Sequence, residues 1–334
     1  MKKNYFFVCD ADARTYQITL SDISKMDNVM QFGRPFSFKS KFLDLLNKFH
    51  FSFKVNKKIF LPFKCIWNKF SIINSKIDDN NQNWLVLTNL SIYKFATSYI
   101  EWLQKKHNFK IVMIYFDTAA KVSPFCKKLI SKVKFDLIYS FDKVDCDKYG
   151  WIYTNSLYSR VEVKNITEQD NYDFYFVGAE KTRGDFIFNL FNALKSKGYK
   201  CNFVMITKNY KQERDVEGFH QLKDRISYDK ILEDIQNARC IVDIVQKGQD
   251  GLTMRPYEAI FYNKFLLSNN LNVKKMDFYN SNFMFEFDDV NDISKITFDL
   301  NKKVDYHYDN RYSPSKLIER IPSDYIKIKE NKEW

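Results

Sequence analysis

The stretch 246–270, QKGQDGLTMRPYEAIFYNKFLLSNN, places Asp250 and Glu258 eight residues apart, with Gly248, Gly251 and Arg255 around them. The whole chain of 334 residues has eight glycines, so two within this short loop point to a backbone requirement. A carboxylate can accept two adjacent sugar hydroxyls, and such charged hydrogen bonds contribute roughly 1.5–3 kcal/mol each. If a helix begins near Leu252, Asp250 stands at its start and Glu258 about one turn inside, where both face one crevice. One acid would then suit a ribose and the other a hexose. The plainer reading makes Asp250 a helix-capping residue and Glu258 a solvated helix residue. Arg255 is open between a phosphate partner and a structural partner of a nearby acid.

A second loop, VGAEKTRGD (177–185), sets Lys181 and Arg183 between Gly178 and Gly184, just before a helical pattern. Unpaired N–H groups at a helix start, two cations and small residues suit a diphosphate. Neither GxGxxG nor a Walker A pattern is present, and an ordinary glycine-containing turn is the alternative. Asp117 and Asp142 each follow an apolar run, so each is a candidate acid or base at the carboxyl end of a strand. Asp10-Ala11-Asp12 has the spacing of a metal clamp but closes a candidate first strand, and no metal is expected. The six cysteines form no CxxC pair and the four histidines are scattered, which excludes a zinc framework and suggests a reduced, cytoplasmic protein.

The elements that must position these residues alternate. In the second half, strands are expected at 172–178, 201–207, 240–246 and 265–270. Helices are expected at 186–198, at 228–238 with Ser227 as N-cap, and at 254–264 with Pro256 in the first turn. In the first half, strands are expected near the N-terminus and at 83–89, 109–117 and 134–142. Helices are expected at 91–107, from after Asp117 to about Lys132, and as a short piece between Pro314 and Pro322. Residues 30–80 carry no clear period. Alternation of this kind predicts parallel sheets covered by helices on both faces, with ligands beyond the carboxyl ends of the strands.

Charge divides the chain. The net +12 lies entirely in residues 1–150, where 25 Lys and Arg face 13 Asp and Glu; residues 151–334 carry 28 of each sign. The basic half favours a polyanion, and an anionic membrane surface is the expected one. Aromatics interleave with lysines in KFHFSFKVNKKIFLPFKCIWNKF (48–70), and they suit either a headgroup region or a core with solvated lysines. No nucleic-acid-binding motif accompanies them, and nucleic acid is not an expected partner. No apolar run reaches the roughly 18 residues of a membrane span.

The run Asp250-Gly251 with Glu258-Ala259 eight residues on, followed by an apolar helix and a short strand, resembles the two-acid motif of retaining GT-B glycosyltransferases. The resemblance implies that Asp250 contacts the donor sugar and acts in catalysis, and that Glu258 holds the ribose. It implies further that the Gly178–Gly184 loop, with Lys181 and Arg183, holds the diphosphate, with Gly251 and Arg255 completing the donor site. Three positions depart from the pattern: Asp250 replaces the usual Glu, Gly178-Ala179 replaces Gly-Arg, and Asn263-Lys264-Phe265 replaces Gly-Xaa-Pro. FDLIYSFDKVDCDKYGW (135–151), DFYFVG (173–178), residues 243–270 and DFYNSNFMF (277–285) are together similar to bacterial enzymes of lipopolysaccharide and capsular polysaccharide synthesis.

That resemblance implies an α/β GT-B fold of two Rossmann-like domains facing each other across a cleft. An acceptor-binding domain is expected at 1–160, a nucleotide-sugar domain at 161–305, and a tail at 306–334 that packs back on the first domain. The implied activity is a retaining, metal-independent hexosyl transfer from a nucleotide-sugar to a saccharide or lipid-linked saccharide. UDP-sugar is the expected donor and no cofactor is required; the protein would work at the inner face of the cell membrane. The alternatives are a non-catalytic nucleotide-sugar-binding partner of a polymer-assembling complex and a polyol-phosphate transferase.

Overall fold

The structure is a computed structural model that describes residues 2–9, 14–161, 172–207, 216–246 and 251–330. The chain forms two compact units. One comprises Met1–Val161 with Asn310–Trp334, and the other Glu162–Asp309.

The first unit is built on a six-stranded parallel sheet. Its strands are β1 (Lys3–Val8), β2 (Val29–Phe32), β3 (Gln82–Thr88), β4 (Lys110–Tyr115), β5 (Leu137–Ser140) and β6 (Ile152–Tyr153). Their order is β2-β1-β3-β4-β5-β6, which reverses between β1 and β3. Central strands buried on both faces need apolar residues at successive positions. In β3, Leu85 and Leu87 point to one core, where Tyr99, Ile100 and Leu103 pack. Trp84 and Val86 point to the other, against Leu317, Ile318 and Ile321.

The helices of this unit are α1 (Arg14–Thr19), α2 (Lys41–His50), α3 (Phe53–Asn56), α4 (Thr97–His107), α5 (Pro124–Ile130) and α6 (Lys143–Tyr149). The continuous helix expected over 91–107 is two pieces, a 3-10 turn at Ile92–Lys94 and then α4. Ser91 explains the break: its hydroxyl accepts from Thr88 N at 2.9 Å and donates to Thr88 O at 3.1 Å, a local turn that competes with helix. The expected helix after Asp117 is divided likewise, into a turn at Ala119–Lys121 and α5, which starts at Pro124.

The second unit has the strands β7 (Tyr172–Ala179), β8 (Cys201–Ile206), β9 (Phe219–Leu222), β10 (Ala238–Asp243), β11 (Phe265–Ser268) and β12 (Met284–Glu286), all parallel. Its helices are α7 (Gly184–Ser196), α8 (Tyr228–Gln236) and α9 (Arg255–Phe261). Read from β9, the order is β9-β8-β7-β10-β11-β12, the doubly wound arrangement of a dinucleotide-binding fold with its switch point between β7 and β10. In α7, Ile187, Leu190, Phe191 and Leu194 recur at helical spacing and are fully buried. Ser227 caps α8 by accepting from Lys230 N at 3.2 Å.

The last described element is one long helix, α10 (Pro314–Glu330), where a short helix bounded by Pro314 and Pro322 was expected. Pro322 lies inside it, although an internal proline removes one backbone bond. Tertiary anchoring on the far side of the proline accounts for the continuation. Asp324 Oδ2 accepts from the buried Tyr139 hydroxyl at 2.8 Å and from Arg320 Nε at 2.8 Å, and Arg320 Nη2 donates to Tyr153 O at 3.2 Å. Asp324→Ala leaves the Tyr139 hydroxyl buried without its acceptor. It is expected to lower stability by about 1–3 kcal/mol in urea titration; an unchanged midpoint would show that α10 is held by its apolar face alone.

Candidate functional site

The switch point of the second sheet brings two loops together, one after β7 and one after β10. The centre of this region is Asp243, the last residue of β10 and 2% exposed. Its carboxylate accepts from Thr253 Oγ1 at 2.8 Å and from Ser268 Oγ at 3.0 Å. Thr253 Oγ1 in turn accepts from Arg255 N at 3.1 Å, which fixes the first turn of α9, and Ser268 Oγ accepts from Asn270 N at 3.0 Å. A single carboxylate thus joins β10, β11 and the start of α9. Burial holds the Asp243 carboxyl above its ordinary 3.8, opposed by the two hydroxyls and by the charges of Arg255 and Arg183. A charged residue closing the apolar run CIVD (240–243) is its signal in the sequence.

Glu258 lies in the first turn of α9 and is completely buried, not solvated. Its Oε1 accepts from the Tyr228 hydroxyl at 2.5 Å and its Oε2 pairs with Arg255, whose side chain is 15% exposed. Arg255 is therefore a structural partner of an acid. Helix α9 starts at Arg255, three residues later than the start that would set Asp250 and Glu258 on one face. Asp250 itself lies outside the described residues, as do Asp10 and Asp12.

The loop after β7 is held by Arg183. Its guanidinium donates to the carbonyl of Ile244 in the loop after β10, and Nε and Nη2 both reach Ala179 O at 3.3 Å. Burial lowers its pKa, and the charge of Asp243 opposes that shift. Gly178 is small because of this packing: a Cβ there would meet Phe176 Cζ at 2.9 Å and Arg183 Nη2 at 3.2 Å. Gly184 faces only the movable end of Glu180, whose Oε1 would stand 2.7 Å from an added Cβ. Gly251 differs. It is exposed, with nothing within 4 Å of where a Cβ would lie, and its carbonyl accepts from Asn270 Nδ2 at 3.2 Å. Lys181 is exposed and adopts a left-handed backbone at φ +47°.

A diphosphate at this switch point would therefore find Lys181 on the surface and open space at Gly251. The Arg183 guanidinium is directed at two carbonyls that hold the two loops together. Val245 N donates to Asn269 Oδ1 at 2.7 Å, a third tie in the same region.

In the first unit, Asp142 caps α6, accepting from Asp145 N at 2.9 Å, and Asp117 is half-exposed with Lys121 Nζ at 3.9 Å. Asp145, which the sequence reading did not single out, is buried and accepts from Ala119 N at 2.6 Å. Among the described residues, no three His, Cys, Asp or Glu side chains gather as a metal site.

The titration of Asp243 gives a test of this geometry. A carboxyl whose folded pKa is raised binds more protons in the native state than in the unfolded one between the two values. Stability then falls as pH rises through that window. Asp243→Asn keeps a partner for each hydroxyl and removes the titration. The stability of the protein relative to this variant should decline as pH rises above the ordinary carboxyl value of 3.8 toward the raised folded value, in denaturant titrations. A relative stability that rises over this range would show that the hydroxyls and arginines outweigh burial.

No family model matches the chain, and no curated protein matches it in sequence. Solved structures do match in fold. A UDP-forming α,α-trehalose-phosphate synthase from Burkholderia vietnamiensis superposes with a TM-score of 0.57 at 8% identity, covering 100% of both chains. The apo form of OtsA gives 0.56 at 10% identity, covering 97% of this chain and 99% of its own. The corresponding synthase from Burkholderia xenovorans gives 0.55 at 9%, with the same coverage. With two six-stranded parallel sheets, one in each unit, this chain has the two-domain Rossmann-like GT-B fold.

Proposed function

We propose that this protein is a glycosyltransferase that moves a sugar from a nucleoside-diphosphate donor to a saccharide acceptor. The observation that carries the reading is the tie between the loop after β7 and Ile244 after β10 at the switch point of the second sheet, with Glu258 of the two-acid motif buried in α9. In doubly wound sheets this crevice is where nucleotides bind. The fold neighbours include UDP-forming synthases, which favours a UDP-sugar as donor. The likeness of 135–151, 173–178, 243–270 and 277–285 to lipopolysaccharide and capsule enzymes favours an acceptor in surface polysaccharide synthesis. The two-acid spacing favours retention.

In this reaction the bond between the sugar's anomeric carbon and the diphosphate breaks, and a bond to the acceptor oxygen forms. The acceptor proton passes to an oxygen of the departing diphosphate, and the nucleoside diphosphate leaves. The donor unit must meet charge developing on the diphosphate with preorganised donors. Lys181 and the backbone at Gly251 are the groups open to do so. The two-acid motif assigns Glu258 to the ribose hydroxyls and Asp250 to the sugar; because Glu258 is fully buried on Tyr228 and Arg255, donor binding must open one of those contacts. A nucleotide-sugar binder without turnover is the competing reading.

Burial changes how Glu258 should be tested. Removing it outright would leave Arg255 without its carboxylate, so loss of binding and loss of fold would be confounded. Glu258→Gln keeps the shape and an oxygen acceptor but also removes the charge paired with Arg255, so its folding is compared with that of the parent chain by circular dichroism. The full chain should be incubated with a panel of nucleotide-sugars, with and without saccharide acceptors, beside Asp250→Asn and Glu258→Gln. Nucleoside-diphosphate release from one donor is expected, and Glu258→Gln should weaken donor binding by about 1.5–3 kcal/mol. Binding without release under any acceptor would favour the non-catalytic reading, and no calorimetric binding of any nucleotide would sink both.

A further inference from the structure

Helix α2 is amphipathic in the wrong sense for a soluble protein. Phe42, Leu45, Leu46 and Phe49 recur at helical spacing and form one stripe, and that stripe is exposed, from 40% at Leu46 to 66% at Phe42. The opposite face turns inward, with Leu43 packed against Phe36, Phe51 and Trp67 and polar residues beside it. Asn47 is 1% exposed and its Oδ1 accepts from Arg34 Nη2 at 2.8 Å, while Asp44 takes Arg34 Nη1 at 2.8 Å and Lys48 Nζ at 2.8 Å. The segment that follows adds four more exposed apolar side chains, Ile59, Phe60, Phe63 and Ile66, all more than half exposed. Phe63 is held outward at φ +59°, a backbone region that bulky residues avoid.

This second group is fixed to the end of α2. Lys64 is buried, and its ammonium donates to Asn56 Oδ1 at 2.6 Å, His50 O at 2.9 Å and Leu61 O at 3.1 Å. Trp67 Nε1 donates to His50 Nδ1 at 2.8 Å, and His50 Nε2 lies 2.7 Å from Pro62 O. The aromatics of 48–70 therefore divide: Phe51 and Trp67 are core, whereas Phe49, Phe60 and Phe63 face outward.

Charge selects the occupant. Residues 39–70 hold eight lysines and one acid, Asp44, which is already paired. Every one of those lysines except Lys64 is exposed. A second copy would set this lysine-rich surface against itself, and lysine is depleted in the cores of protein interfaces. Aliphatic and aromatic side chains rimmed by lysine are what an anionic lipid surface accommodates, with rings in the headgroup region and ammonium groups on the phosphates. No described helix is long and apolar enough to cross a membrane, which fits attachment at the surface.

We infer that α2 and the 59–66 segment form a membrane-docking face that inserts apolar side chains into an anionic bilayer surface. This rests on the surface itself and not on the proposed transfer reaction. The test is co-sedimentation of the full chain with vesicles of phosphatidylcholine alone and of phosphatidylcholine mixed with phosphatidylglycerol. Binding is expected only to the mixed vesicles, weakening as salt is raised. Phe49→Ser with Phe63→Ser, and separately Lys57→Glu with Lys58→Glu, should each reduce binding about tenfold or more, with circular dichroism unchanged. Ile326→Ser, which removes an exposed apolar residue of α10, should leave binding intact. No binding to mixed vesicles at low salt would overturn the inference, as would binding indifferent to both double variants. A vesicle-independent dimer or a complex with single-stranded nucleic acid that Phe49→Ser with Phe63→Ser abolishes would assign the face to that occupant instead.

Discussion

A carboxylate buried at the end of a central strand is costly unless its oxygens are matched, and the second unit is organised around that constraint at Asp243. Its partners are supplied by three separate elements: Ser268 from the neighbouring strand, Thr253 from the segment before α9, and the field of two arginines. Because Thr253 also receives the Arg255 N–H, the position of the acid fixes where α9 begins. The pairing of Arg255 with Glu258 follows from that start, since residues three apart on a helix are neighbours. One unsatisfied group at this depth would disturb the strand, the loop and the helix together.

The same economy explains the glycine loops. Gly178 has the buried Phe176 ring where a side chain would be, so its smallness serves packing, whereas at Gly184 only the movable end of Glu180 stands in the way. Gly251 alone among the three has open space. The loop after β7 is thereby tied to the loop after β10 through Arg183 and Ile244, and the switch point is held in one arrangement by backbone carbonyls. A preorganised crevice of this kind suits a charged ligand, because the protein need not reorganise when charge develops.

The first unit shows a different balance. Its sheet is closed on one face by α10 and on the other by α4, with aromatic and aliphatic residues on both sides. Outside that core, α2 turns its apolar stripe away and sets Asp44 and Asn47 inward, where both accept from Arg34. The uncompensated positive charge of the chain is concentrated where these apolar residues emerge. The second unit, residues 162–309, holds 21 Lys and Arg against 24 Asp and Glu and has no counterpart of that excess.

Much of the fold was legible from local signals. Apolar runs with glycine or polar boundaries located β3, β4, β7, β8 and β11 to within a few residues, and Ser227 and Pro256 marked helix starts, because periodicity and capping act over a single turn or strand. The short strands β2, β6, β9 and β12 were not legible, since VMQF, IY, FHQL and MFE lack the continuous apolar run that marks β11. The continuation of α10 through Pro322 depended on Tyr139, 185 residues distant in sequence. For the candidate site, the sequence identified Gly178, Arg183, Gly251, Arg255 and Glu258 as a group, because spacing and residue type are local properties. What each of them touches was decided by the tertiary structure. Burial of Glu258, the engagement of Arg183 with Ile244 and the central place of Asp243 all arise where strands distant in sequence end side by side, and no local pattern encodes that meeting.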